Sequence, residues 1–117
     1  MPRLELAALD LAPEHLAELR RLLRQHVPNA EVWAYGSRVN GKTYSNAKTH
    51  GNAHEGSDLD LVLRHSQDLS RAVTGKAALE EALQNSLLPM LVDVHQWAEL
   101  PTLFQRNIEA VYVVIDH

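Results

Sequence analysis

The sequence has no cysteine, few aromatic residues and no long apolar segment. The absence of cysteine excludes disulfide bonds and thiolate metal sites. Aromatic residues make up 5% of the chain, which leaves few surfaces on which nucleobases could stack. The longest apolar stretch, 110–115, is far shorter than the roughly 20 residues that a membrane-spanning helix needs. These absences favour an ordinary water-exposed domain over a membrane protein or a disulfide-rich one.

Positive charge is also scarce for a chain of 117 residues. The formal net charge is −4, so the surface as a whole would repel a nucleic-acid backbone, and direct nucleic-acid binding is disfavoured. Residues 1–6 carry charges where a signal peptide needs an apolar run. The length suits one domain, 1–117. We therefore expect a single cytoplasmic domain.

Apolar periodicity predicts alternating helices and strands. The predicted helices are 13–27, 72–88 and 101–109, and the predicted strands are 31–35, 58–63, 91–97 and 111–115. The second helix is expected to bury an apolar side made of Ala78, Leu79, Ala82, Leu83 and Leu87. This order is typical of an α/β or α+β fold, in which helices pack on a small mixed β-sheet.

Two aspartates begin the second predicted strand, in the sequence "GSDLDLVL". Asp58 and Asp60 are two residues apart, so they share one face of the strand while the leucines point to the other. Paired carboxylates repel one another unless a cation joins them, and oxygen ligands favour Mg²⁺ or Mn²⁺. The polar outer face of an edge strand explains the same pattern without a metal. The spacing alone does not choose between these interpretations.

A third aspartate lies in the middle of an apolar strand, "PMLVDVHQW". A charge buried there is unfavourable unless it is paired or bound to a metal. If this strand lies beside the second strand, Asp93 completes a triad with Asp58 and Asp60, of the kind that holds two Mg²⁺ ions in phosphoryl transfer. His95 shares the face of Asp93, which fits a residue that borders a nucleotide and equally fits a surface histidine.

The first predicted strand runs directly into a glycine and a serine, in "WAYGSRVNGK". Gly36 permits a tight turn and the close approach of a phosphate. A helical turn entered at Ser37 would offer backbone N–H groups and a hydroxyl to an anion, with Arg38 and Lys42 as countercharge. An uncommitted polar turn is the simpler interpretation. The uncommitted turn is disfavoured because three aspartates follow in order along the predicted strands.

The segments "YGSR", "GSDLDLVL" and "VDV", in this order, resemble the minimal nucleotidyltransferases (MNT) of the DNA polymerase β-like superfamily over almost the whole chain. The resemblance implies that Gly36 and Ser37 contact a nucleoside triphosphate. It also implies that Asp58 and Asp60 ligate Mg²⁺ and that Asp93 ligates metal or activates the attacking hydroxyl.

The same resemblance implies a reaction and a partner. Small stand-alone members of this superfamily commonly pair with a helical HEPN-domain protein, often as the antitoxin to its ribonuclease toxin. Several are implied to transfer AMP from ATP to that partner. The alternative is an antitoxin of the same fold that acts by binding its HEPN partner, with the nucleotide site idle.

Two stretches depart from the family pattern. The family usually continues after Gly-Ser-Arg with a small residue, a second Arg and Gly, whereas this chain has Val39-Asn40-Gly41. One basic phosphate contact is therefore missing, and Lys42 is a candidate replacement. The polar segment 42–55 is longer than usual and is expected to be mobile, because it has little to bury. A solvated loop explains His50 and His54 better than a zinc site does. An exposed loop tyrosine explains Tyr44 better than a modification target or a nucleobase-stacking residue does.

Overall fold

The computed structural model describes residues 3–39 and 58–116, in which the chain alternates between strands and helices. The strands are β1 (Arg3–Leu4), β2 (Ala30–Tyr35), β3 (Leu59–His65), β4 (Val92–Gln96) and β5 (Tyr112–Asp116). The α-helices are α1 (Pro13–His26), α2 (Lys76–Gln84) and α3 (Thr102–Ala110), and 3₁₀ helices span Leu6–Ala8 and Trp97–Glu99. None of the helices in these two ranges is long and apolar enough to cross a membrane.

The sheet is mixed and has the strand order β1-β5-β2-β3-β4. Strand β2 is antiparallel to β3 and β5, whereas the β1–β5 and β3–β4 pairs are parallel. The predicted small mixed sheet is confirmed, and the predicted bounds of its strands are displaced by one or two residues. Strand β1 was not predicted, because two residues carry no periodicity.

Side-chain alternation along β2 separates two apolar clusters. Val32 and Ala34 pack on one face with the leucines of β3 and the apolar sides of α1 and α2. Trp33 and Tyr35 pack on the opposite face, which α3 and the second 3₁₀ helix cover. The predicted division of β2 is therefore confirmed. Strand β3 was predicted to be half-buried, but its second face is also covered at Val62, which is 0% exposed.

Aromatic side chains form the centre of the second cluster. The rings of Trp33 and Tyr112 stack with centroids 3.7 Å apart, and Trp97 meets Trp33 edge-on at 5.5 Å. The Arg64 guanidinium lies 3.7 Å from the centroid of the Trp33 ring and pairs with Glu31 at 3.0 Å. A cation held over an aromatic face is attracted by the ring's quadrupole, so this contact stabilises the packing on this face of the sheet.

Helix α2 is shorter than the sequence predicts. It begins after Gly75, whose φ of +100° favours glycine, instead of at residue 72. The buried side-chain amide of Gln96 bonds both the N–H and the carbonyl of Val73 at 2.8 Å, which takes these groups away from a helix. The helix ends at Gln84, so Leu87 lies beyond it and is 92% exposed. Ala78 lies within the helix but is also exposed, so the predicted apolar side is wrong at both Leu87 and Ala78.

Candidate active site

The polar turn at the end of β2 is built around one glycine. Gly36 has a φ of +87°, a region that L side chains rarely adopt. The Val39 N–H donates to the Gly36 carbonyl at 3.0 Å and closes the turn Gly36–Val39, here called the Gly36 turn. Ser37 lies in this turn and is exposed. The chain after Val39, into which the predicted helical turn would continue, lies outside the described residues, and so does Lys42.

Arg38 is turned towards the interior. It is 7% exposed, and its Nη1 donates to the Asp10 carbonyl at 2.9 Å, while the Asp10 N–H donates to the Arg38 carbonyl at 2.6 Å. These bonds tie the Gly36 turn to the segment between β1 and α1. Arg38 therefore stabilises the turn from the protein interior. Its contact with a nucleotide remains a prediction.

The three aspartates that the sequence singles out, here called the carboxylate cluster, are Asp58, Asp60 and Asp93. Parallel pairing of β3 with β4 places Asp60 beside Asp93, and Asp58 precedes Asp60 by two residues on the same face. Strand β3 lies between β2 and β4, so the alternative interpretation of Asp58 and Asp60 as the polar face of an edge strand is wrong. Asp93 is exposed, and the burial that was expected to make its charge unfavourable is not present.

Burial and neighbouring charges both act on the carboxyl group of Asp60. Burial raises the pKa of Asp60 above its usual value of 3.8, and the charges of Asp93 and Asp58 raise it further, while His95 opposes them. Tyr35 pairs with Asp60 across β2 and β3. Burial, followed by the charges of Asp60 and Asp93, raises the pKa of Tyr35 to about 12. The phenol therefore stays protonated at neutral pH beside the carboxylates.

The Gly36 turn touches the carboxylate cluster directly. A Cβ placed on Gly36 would collide with the Oδ2 of Asp60. Glycine is thus required for two separate reasons, the positive φ and the approach of a carboxylate. An anion resting on the turn would lie next to Asp60, so a cation would be needed between the two negative groups.

The donor chemistry of the cluster suits a hard cation. Its ligand atoms are carboxylate oxygens, which Mg²⁺ and Mn²⁺ prefer, and the residues share one face of the sheet. In residues 3–39 and 58–116, no three His, Asp or Glu side chains are grouped closely enough to hold a metal ion as they stand. The assignment of the cluster as a metal site therefore remains a prediction.

We expect Asp60→Asn to raise the melting temperature in the presence of EDTA at pH 7, by about 1–3 °C. The folded-state pKa of Asp60 is raised, so its charge destabilises the fold above that pKa. The difference should vanish as the pH falls below 3.8, where the carboxyl group is protonated in both states. Thermal unfolding followed by circular dichroism between pH 7 and pH 3.5 measures this.

The control is the same change at Asp68. Hydrogen bonds from Ser70 hold the pKa of Asp68 below its usual range, so Asp68→Asn should not raise the melting temperature. A variant at Asp60 that is less stable than the wild type at pH 7 would contradict the repulsion inferred within the cluster.

Comparison with known proteins identifies the family. No protein-family profile matches the chain. A protein of Haemophilus influenzae, described as probable protein adenylyltransferase MntA, is 39% identical over 109 residues, which cover 93% of this chain and 85% of that relative. The chain belongs to the MNT-type nucleotidyltransferase family. The predicted nucleotidyltransferase family is thereby confirmed, and so is the expectation that the protein is a nucleotidyltransferase enzyme.

Sequence reasoning did not single out one residue that the structure places beside the carboxylate cluster. The missed residue is Tyr35, although its alternation with Ala34 places it on the face that bears the aspartates once β2 is paired with β3. The half-buried His95 lies beside Val62 on that face, farther along β4 than Asp93. The predicted loop 42–55 and the residues assigned to it, His50, His54 and Tyr44, lie outside the described residues.

Proposed function

We propose that this nucleotidyltransferase transfers AMP from ATP to a hydroxyl group of a protein partner in a Mg²⁺-dependent reaction. The observation that carries the proposal is the register of β3 and β4, which puts Asp60 beside Asp93, together with the contact of Asp60 with the Gly36 turn. A nucleotide on the turn would have its phosphates beside the carboxylates. The description of the Haemophilus influenzae relative as a probable protein adenylyltransferase supports both the nucleotide and the class of acceptor.

In the proposed reaction the hydroxyl oxygen of the acceptor forms a bond to the α-phosphorus of ATP. The bond from that phosphorus to the oxygen shared with the β-phosphorus breaks, and pyrophosphate leaves with the electron pair. The hydroxyl proton passes to a carboxylate oxygen. Asp93 is the most exposed member of the carboxylate cluster, so it is the one that an acceptor can reach most easily from solvent.

The chain's own groups would act mainly by position. The N–H groups of Gly36 and Ser37 and the Ser37 hydroxyl would donate hydrogen bonds to phosphate oxygens from an exposed turn. Asp58, Asp60 and Asp93 would hold Mg²⁺, which when bound neutralises the charge of the phosphates. Positioning and charge neutralisation account for most of the catalysis expected of phosphoryl-transfer enzymes.

We further propose that the acceptor is a HEPN-domain protein and that the chain is its antitoxin in the cytoplasm. This step rests on the resemblance of the three motifs to minimal nucleotidyltransferases. The strand order is compatible with an acceptor of protein size, because Asp93 is exposed on β4, the outermost strand on its side of the described sheet. An antitoxin that acts by binding alone remains the alternative, favoured by Val39-Asn40-Gly41, which lacks the family's second arginine.

Thermal unfolding with ATP tests the site first. A ligand at a hundred times its Kd adds about 2.7 kcal/mol to the free energy of unfolding, which corresponds to a rise of about 10 °C for a domain of this size. We expect that rise with ATP and Mg²⁺, and little or none with ATP and EDTA. Incubation with α-labelled ATP, Mg²⁺ and a purified HEPN-domain partner should then leave label on the partner.

The possible results separate the two candidate functions. Stabilisation by ATP with Mg²⁺, together with a labelled partner, supports transfer. Neutralisation of the partner's ribonuclease activity with neither stabilisation nor label favours the antitoxin that acts by binding. Stabilisation without label on the partner would contradict the proposed acceptor.

A further inference from the structure

A pocket opens on the β5 side of the Gly36 turn, whereas the carboxylate cluster lies on its β3 side. This cavity, here called the α3 pocket, has a volume of about 390 Å³. Small-molecule sites in proteins occupy about 300–1,000 Å³. Its walls come from the end of β2, the turn and helix α3, and include Tyr35, Gly36, Ser37, Phe104, Asn107 and Ile108.

The chemistry of the α3 pocket differs from that of the carboxylate cluster. None of its described lining residues carries a charge, so it offers no cation to a phosphate. Apolar and aromatic groups form most of its wall, with one amide, that of Asn107, among them. A flat, neutral ring with hydrogen-bonding edges suits such a cavity better than a polyphosphate does.

We propose that the α3 pocket binds the base of the nucleotide donor, with Phe104 as its stacking surface and Asn107 as the residue that distinguishes adenine from guanine. This inference rests on the proposed function and deepens it. The Gly36 turn joins the pocket to the carboxylate cluster, since Gly36 borders both. A nucleotide lying across the turn therefore has its base in the pocket and its phosphates at the carboxylates.

Phe104 is held in place by its contact with Tyr35. The two rings meet edge-on, with centroids 5.9 Å apart and planes at 84°. Phe104 is partly buried in the second cluster and still lines the pocket. A fixed aromatic ring on a pocket wall provides a surface on which any base can stack, so it contributes affinity with little selectivity.

Asn107 supplies the selectivity. It lies three residues after Phe104 on α3, so both side chains project from one face of the helix. Its amide offers a donor and an acceptor together, which match the N7 acceptor and the N6 donor of adenine. Guanine presents two acceptors, N7 and O6, along the same edge, and the amide oxygen would then have no partner. Along this N7 edge, adenine satisfies both groups of the amide and guanine satisfies only its N–H donors.

Binding measurements with three probes test the inference. Isothermal titration calorimetry with Mg²⁺ would compare ATP, GTP and inorganic tripolyphosphate, which has no base. We expect the wild type to prefer ATP, and Asn107→Asp to weaken ATP binding about tenfold and remove the preference over GTP. Phe104→Leu should weaken ATP and GTP binding alike, also about tenfold. Tripolyphosphate binding should be unchanged in both variants.

The matched control is Asn85→Asp, the same change at the exposed end of α2, which should bind every probe as the wild type does. If Asn107→Asp and Phe104→Leu bind ATP and GTP with wild-type affinities, the inference is wrong while the proposed function stands. If the wild type itself fails to bind ATP with Mg²⁺, the proposed function fails and the inference with it. Asn107 is exposed, so its replacement tests the inference even if Phe104→Leu disturbs folding.

Discussion

Replacing Asp58 and Asp60 together by asparagine should lower the rate of nucleotide transfer at least about 10³-fold and leave the fold intact. Asparagine is a much poorer ligand for Mg²⁺ than aspartate, so the variant would hold Mg²⁺ poorly and the phosphate charge would stay less neutralised. Packing should survive, because the apolar contacts of β3 are made by Leu59, Leu61 and Leu63, which are at most 1% exposed.

The measurement is transfer of label from α-labelled ATP to the proposed HEPN-domain partner, with circular dichroism to verify folding. The control variant, Glu81→Gln with Glu99→Gln, removes the same charge from two exposed positions outside the cluster and should label the partner normally. Labelling at the wild-type level by the double asparagine variant would refute the role of the carboxylate cluster as the metal site.

Gly36→Ala should reduce transfer about 10²-fold, because it displaces a carboxylate of the cluster. The new Cβ would collide with the Asp60 Oδ2, and that flexible side chain would move away. Alanine at a φ of +87° also destabilises the fold, by about 1–2 kcal/mol. Nucleotide affinity, transfer rate and urea unfolding measured on the same preparation would separate the effect on the site from the effect on stability.

Gly75→Ala is the matched control for this change. Gly75 also has a positive φ, of +100°, but a Cβ there would meet the His26 carbonyl of the backbone, away from the carboxylate cluster. A backbone atom moves away less easily than the end of a side chain. The free energy of unfolding should therefore fall at least as much in this variant as in Gly36→Ala. It should nevertheless transfer AMP at the wild-type rate below its melting temperature. Equal losses of transfer in the two variants would indicate that Gly36 acts through stability alone.

The position of each element along the chain could be predicted from local signals. Pro13 and Glu14 occupy the first turn of α1 as predicted, and the apolar alternation of β2 and β3 assigned their core faces correctly. These local signals predict secondary structure correctly because the periods of helices and strands are properties of the backbone and do not depend on contacts with distant residues. They fail where a distant residue intervenes, as Gln96 does when it bonds Val73 and delays the start of α2.

The choice of candidate site residues was also determined by sequence, through the three motifs that resemble minimal nucleotidyltransferases. Those motifs by themselves single out Gly36, Ser37 and the three aspartates. They could not determine whether Asp93 lies beside Asp60, because the side-by-side arrangement of two strands depends on the order of the whole sheet. The burial expected for Asp93 was wrong for the same reason, since β4 is the outermost strand on its side of the described sheet.

Tertiary structure alone decided what surrounds these residues. The parallel register of β3 and β4 brings Asp93 to Asp60, and the antiparallel register of β2 and β3 brings Tyr35 to the same carboxylate. The α3 pocket joins residues about 70 positions apart, Tyr35 and Phe104, and no local pattern links them. Sequence periodicity specifies the face of a strand on which a side chain lies. Which side chains of two remote strands become neighbours depends on how the strands pair, and that pairing determines the charges that act on each titratable group.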